Sequence, residues 1–236
     1  MPFEIEIAVA KTHKYASRES GDTVELVERP AGGLSVVLVD GQGSGLAAKT
    51  LSLLVSAKAV SLLKDGARDD TVARAVHDYL HTFRHGRVSS TMEILSVDLV
   101  SKMVISTRNS ETPLLLGRHG EYQLLPSSAG PIGIRRHTTP SVEQFDAEPG
   151  LQVVVFSDGV VHAGERHHRP LDLLAFACGR LEAGMTAHAL ADAVLAEALA
   201  RDEGRPGDDM SVVALALHPR HEYPQVRRLV VNLPLP

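Results

Sequence analysis

Two kinds of apolar pattern follow one another along the first part of the chain. Phe3 to Ala10 and the dense β-branched run Leu34 to Val39, with a weaker stretch from Val24 to Glu28 between them, predict strands. From Ser44, a residue type suited to capping, through Lys64 the composition turns to Ala, Leu, Lys and Ser, and Gly66 follows. That stretch predicts a helix apolar around most of its circumference and therefore largely buried. Behind Asp70 a second helix is predicted from Thr71 to His85, because Val72, Val76, Tyr79, Leu80 and Phe83 keep the helical period before Gly86.

Short alternating runs come next: Met92 to Val100, Met103 to Thr107, Leu114 to Gly117, Tyr122 to Leu125 and Val142 to Phe145. Polar or Gly turns separate them, which predicts an antiparallel meander. Leu151 to Phe156 reads as a further strand, Pro170 to Leu181 and Thr186 to Arg201 as helices, and Met210 to Leu217 as a final strand. Strands and helices come in blocks, so an α+β fold with stacked sheets is expected over a parallel doubly wound one. Residues 1–218 are expected to form one domain and 219–236 a tail, whose Leu229-Val230-Val231 run could pack along an edge or meet another subunit.

Composition narrows the function classes. The formal charge of the 236 residues is -5, and the basic residues are scattered without aromatic interleaving, so nucleic acid is a poor partner. The N-terminus does not read as a secretion signal and no run of roughly eighteen apolar residues occurs, so a cytoplasmic location away from membranes is expected. Cys178 is the single cysteine; beside Leu171, Leu174 and Ala175 it reads as core packing and not as a nucleophile.

The candidate chemistry lies at strand ends. Leu34 to Val39 runs into Asp40-Gly41, and Leu151 to Phe156 runs into Ser157-Asp158-Gly159. Gly207-Asp208-Asp209 stands in mirror fashion before the strand from Met210. If that strand runs antiparallel to the other two in one sheet, all these carboxylates fall on one edge. Crowded carboxylates raise one another's pKa unless cations neutralise them, and an all-oxygen set suits Mg²⁺ or Mn²⁺. Any one Asp-Gly pair after a strand is more often a simple turn, but three strand ends of this kind share a placement that turns do not explain. Gly41 is expected to let a backbone carbonyl approach an ion.

In their order and spacing these motifs resemble the PPM, or type 2C, metal-dependent protein phosphatases, especially their SpoIIE-like branch. Ser20-Gly21-Asp22, Asp40-Gly41-Gln42-Gly43-Ser44-Gly45, Phe156-Ser157-Asp158-Gly159 and Asp208-Asp209-Met210-Ser211 carry the likeness, with Ser90-Thr91 and Pro131-Ile132-Gly133-Ile134 between them. The resemblance implies a four-layer α/β/β/α sandwich of two antiparallel sheets flanked by helices. It implies two ions, Mn²⁺ or Mg²⁺, with Asp40 bridging both, the Gly41 carbonyl and Asp22 serving one, Asp158 and Asp208 the other, and Asp209 lying behind them. The implied reaction is hydrolysis of phosphoserine or phosphothreonine by a water, on a signalling protein of the anti-sigma antagonist type. Gln42 stands where eukaryotic members carry a proton-donating histidine, and Arg18 is near the segment where those members place a phosphate-binding arginine.

A pseudophosphatase that binds phosphoproteins, and a hydrolase of small phosphate esters, are the rival readings. His77, His81 and His85 recur every fourth residue and are expected to form a polar helix flank, not a metal site. His162, His167 and His168 are expected in a solvated loop.

Overall fold

The computed structural model describes residues 3–219 and 228–232. Strands β1 (Phe3–Thr12), β2 (Asp22–Glu28) and β3 (Gly33–Gly41) lead into helices α1 (Gly45–Lys64) and α2 (Asp69–Arg84). Six strands follow: β4 (Ser90–Asp98), β5 (Met103–Asn109), β6 (Leu114–Arg118), β7 (Glu121–Leu125), β8 (Ser141–Asp146) and β9 (Leu151–Phe156). The chain then forms α3 (Asp158–Val161), a 3₁₀ turn at Glu165–His167, α4 (Leu173–Arg180), α5 (Ala187–Arg201) and β10 (Met210–Pro219).

The strands make two antiparallel sheets, ordered β1-β10-β9-β6-β7 and β2-β3-β4-β5-β8. Strand alternation explains why both can be buried on two sides. In β3, Val36 and Leu38 face the other sheet while Val37 and Val39 face α1 and α2. In β10, Val213 and Leu215 face inward while Val212 and Ala214 face α5. Three apolar layers result, one between the sheets and one beneath each helical layer, which is the expected α/β/β/α sandwich.

Several local expectations need correction. The strands after α2 do not form one meander: β4, β5 and β8 stay in one sheet, while the β6–β7 hairpin crosses to the other, where Leu115 pairs with Val154 of β9. Helix α1 is not buried all round, since Leu46 and Leu53 on its outer stripe are 73% and 45% exposed. It is long and apolar enough by composition to cross a membrane, yet its inner side is packed on the sheet through Leu51, Val55, Ala59 and Leu63. Cys178 is exposed, because α4 turns Leu173 and Ala177 to the core and leaves Leu174 and Cys178 outside. In the tail, residues 228–232, with Leu229, Val230 and Val231, are exposed; 220–227 and 233–236 lie outside the described residues.

One buried polar group within the sandwich escaped the sequence reading. Arg108 is fully buried and donates to the carbonyls of Thr112 (2.9 Å), Leu125 (3.2 Å) and Pro126 (3.2 Å) and to Glu143 (2.7 Å). Across the strand pair, Glu93 accepts from the hydroxyls of Ser110 and Thr112, and burial pushes it up to about 7. The fork of Arg108 thereby pins the start of the long connection from β7 to β8, which carries Pro131 to Ile134.

Leu63→Ala, which opens a cavity under α1, is expected to cost ~2–5 kcal/mol in urea unfolding. Leu53→Ala on the exposed stripe should cost ~0.5 kcal/mol or less.

Candidate active site

At one end of the sandwich the inner layer changes from hydrocarbon to carboxylate and hydroxyl. Asp40 continues the inward row Val36, Leu38 of β3, and Asp22 stands directly opposite it on β2. From the facing sheet, Ser157 continues the inward row of β9, and Asp209 and Ser211 that of β10. The carboxylates thus meet across two sheets. The expected placement on one edge of a single sheet is corrected: β9 and β10 are antiparallel neighbours, but β3 belongs to the opposite sheet.

Hydrogen bonds join the two sheets here. Ser211 Oγ donates to Asp22 Oδ2 at 2.6 Å, and the Gly21 amide donates to Asp209 Oδ2 at 2.7 Å. Asp209 Oδ1 accepts from the Lys14 amide at 2.8 Å, so both of its oxygens are spent on backbone. Asp208 is exposed; its Oδ1 accepts the Asp209 amide at 3.0 Å. Asp158 opens α3 immediately beyond β9.

Both Asp-Gly glycines serve close packing. A Cβ on Gly41 would lie 2.2 Å from the Ala48 carbonyl oxygen of α1, and one on Gly159 would lie 2.1 Å from that of Asp209. Neither position tolerates a methyl group without backbone movement, a more direct need for glycine than the expected access of an ion to the Gly41 carbonyl.

The electrostatics follow from burial and crowding. Asp40 is pushed up to about 8, first by burial and then by Asp22, Asp158, Asp208 and Asp209. Burial also pushes Asp22 up to about 6, against the hydrogen bonds of Ser211 and Ser157. Asp158 is raised by burial and then by Asp208. Lys11 and Lys49 both donate to the Asp22 carbonyl, at 3.0 and 2.8 Å, and burial lowers the Lys11 pKa. Their charges offset the carboxylates only in part.

This environment fits hard divalent cations. Its donors are all oxygens, and Asp22 Oδ1 is buried without a hydrogen-bond partner. Among the described residues no three His, Cys, Asp or Glu side chains form a ready cage around one ion. Carboxylates spread over two sheets suit ions that keep much of their water, as Mg²⁺ does. A cavity of about 380 Å³, lined by Arg29, Asp69, Ser96, Ile105 and Val142 among others, contains none of these carboxylates.

The surrounding loops are latched to the site. Gln42 Oε1 accepts from the amide (2.9 Å) and hydroxyl (3.3 Å) of Ser89. Ser90 Oγ donates to the Asp40 carbonyl at 2.5 Å, and Ser90 and Ile132 exchange backbone hydrogen bonds of 3.1 and 2.9 Å. The next residue, Gly133, has φ of 99°. Its amide donates to His77 Nδ1 at 3.2 Å, and His81 Nδ1 donates to its carbonyl at 3.0 Å. His77 is buried, so these two histidines are not the expected polar flank; they grip the Pro131–Ile134 loop. A glycine that needs positive φ, opposite a His pair spaced i, i+4, was the available signal. His162, Glu165 and His167 surround the short turn after α3, and His162 and Glu165 pair at 2.9 Å on the surface.

The model of the family Stage II sporulation protein E (SpoIIE) matches residues 30–218. Stage II sporulation protein E of Priestia megaterium is 26% identical over 231 residues, which are 94% of this chain and 38% of that protein. The chain therefore spans well under half the length of that relative. The PP2C phosphatase domain, with a fragment of the regulatory domain, of the cell fate determinant SpoIIE from Bacillus subtilis superposes with a TM-score of 0.78 at 21% identity, covering 90% of this chain and 63% of that one. RsbX in complex with magnesium superposes with a TM-score of 0.67 at 14% identity, covering 90% and 95%.

The architecture is that of a PP2C phosphatase domain, the fold expected from the motifs. Within that class the chain belongs to the SpoIIE family.

The raised carboxylates carry a stability consequence. Asp40 and Asp22 hold protons in the folded state at pH values where the unfolded chain, with ordinary aspartates near 3.8, has lost them. Their contribution is therefore most favourable below about pH 4 and is lost as pH rises to about 8. In EDTA at pH 8, Asp40→Asn should raise the melting temperature by a few degrees; thermal melts showing no gain, or a loss, would contradict the assigned repulsion.

Proposed function

We propose that the chain acts as a metal-dependent protein serine/threonine phosphatase that hydrolyses phosphoserine or phosphothreonine on a bacterial signalling protein of the anti-sigma antagonist type. The observation that carries this reading is the meeting of Asp22, Asp40, Asp158 and Asp208 at one end of the sandwich, where burial and mutual repulsion raise Asp40 to about 8. Separate acidic turns would show no such coupling.

In this reading Asp40, at the centre of the cluster, would hold both of two Mn²⁺ or Mg²⁺ ions. The Gly41 carbonyl and the free Oδ1 of Asp22 would help to hold one of them, and Asp158 and Asp208 the other. Such ions, when bound, would make a water nucleophilic and neutralise charge on the phosphoryl oxygens. Asp209 keeps the Gly21–Asp22 turn against the start of β10 through the Gly21 amide, and holds the Lys14 amide with its other oxygen. Ser211 fixes the Asp22 carboxylate so that one oxygen stays free. Gln42 is held on Ser89 and donates no proton to a leaving group, so that proton comes from solvent or from the substrate side. The magnesium bound by RsbX supports the choice of metal.

Turnover of p-nitrophenyl phosphate should require Mn²⁺ or Mg²⁺ and stop in EDTA. Asp40→Ala should abolish it, whereas Asp209→Ala should reduce it by about 10–100-fold, the usual scale for a residue that orients ligands. Equal and mild losses at both positions would mean that the cluster is misassigned, and a stable, folded wild type without turnover in either metal would favour a phosphoprotein-binding module.

A further inference from the structure

Two segments free of acidic residues meet beside Asp40. Residues 79–92 contain no Asp or Glu and carry Arg84, His85 and Arg87; residues 126–142 contain none and carry Arg135, Arg136 and His137. The segments touch: His81 bonds the Gly133 carbonyl at 3.0 Å, and a Cβ on Gly86 would lie 3.3 Å from the Ile134 carbonyl oxygen. All four arginines are exposed, and none takes part in an ion pair among the described residues. Phe83 and Ile134 lie among them at 53% and 47% exposure, and the Arg84 guanidinium sits 5.1 Å from the centre of the Phe83 ring.

This patch runs against the charge of the whole chain, which is -5. Both of its segments also connect to Asp40. The first segment leads into Ser90, whose hydroxyl holds the Asp40 carbonyl, and the second is paired to Ser90 through Ile132. An acidic protein approaching the clustered aspartates would be repelled by them. Unpaired arginines next door would offset that repulsion, and their planar forks match carboxylates. Arginine beside an exposed aromatic ring is also a composition enriched at interfaces.

We infer that the surface formed by Phe83, Arg84, Arg87, Ile134, Arg135 and Arg136 docks the acidic face of a phosphorylated protein, gripping Asp and Glu side chains near its phosphoserine or phosphothreonine. This rests on the phosphatase reading for the identity of the partner, but the docking can be measured without chemistry. Each exposed ion pair contributes little alone, so the surface acts through several together.

The test uses the whole chain with two fluorescent phosphothreonine peptides, one flanked by glutamates and one by lysines, titrated by anisotropy in EDTA. At low ionic strength the acidic peptide should bind about 10-fold more tightly, and the difference should vanish near 1 M salt, where screening acts within about 3 Å. The double variant Arg135→Glu with Arg136→Glu should lose or invert the preference while turning over p-nitrophenyl phosphate as the wild type does. Equal binding of both peptides by the wild type, or an unchanged preference in the variant, would overturn the docking site. So would tight binding of a single-stranded oligonucleotide or of phosphatidylserine vesicles without any preference between the peptides. A wild type that prefers the acidic peptide but hydrolyses nothing would keep the docking surface and remove the phosphatase reading.

Discussion

The site depends on a small set of buried hydrogen bonds between the sheets, chiefly Ser211 to Asp22 and Gly21 to Asp209. Face-to-face packing of Val, Leu and Ile side chains is non-directional and would allow the sheets to slide or rotate slightly. Polar bonds at the open end remove that freedom where it matters. They work against the burial and mutual repulsion of the carboxylates they position, which together drive Asp40 towards the protonated state. Local stability is thus lost at the place where charge can be used, the usual cost of a preorganised site.

The Asp-Gly turns show how tightly that place is built into the layers. At Gly41 the α1 backbone leaves no room for a side chain, and at Gly159 the β10 backbone leaves none. The carboxylate before each glycine therefore sits on a strand end clamped from behind. The loop side is clamped as well, through Ser90 on the Asp40 carbonyl, Ile132 on Ser90, and His77 with His81 on Gly133. Helix α2, which offers no residue to the cluster, is connected to it by this chain of short contacts.

Much of the fold was legible in the sequence, because strand runs such as Leu34 to Val39 and Leu151 to Phe156 and the periodic helix from Thr71 carry strong local signals. The aspartates were legible too, since strand-end acids recur with a common design. What the sequence could not convey was which surface faces which neighbour. Cys178 and Leu174 look equivalent to Ala177 and Leu173 in an apolar stretch, and only the docking angle of α4 separates them. The outer stripe of α1 was misread for the same reason. The departure of β6 and β7 from the meander is set by pairing with β9, a long-range choice, and the His77–Gly133 contact links residues 56 apart.

The topology also orders events during synthesis. Among the described strands β1 comes earliest in the chain, and its partner along the whole of its length, β10, comes latest, with Phe3 opposite Pro219 and Thr12 opposite Met210. While the ribosome is still adding the middle of the chain, β1 has no partner, and Asp22 lacks the hydroxyl of Ser211. A nascent or prematurely terminated chain can bury the layer under α1 and α2, yet it cannot assemble the acidic end of the sandwich. The acidic end is thereby completed only once translation has passed β10.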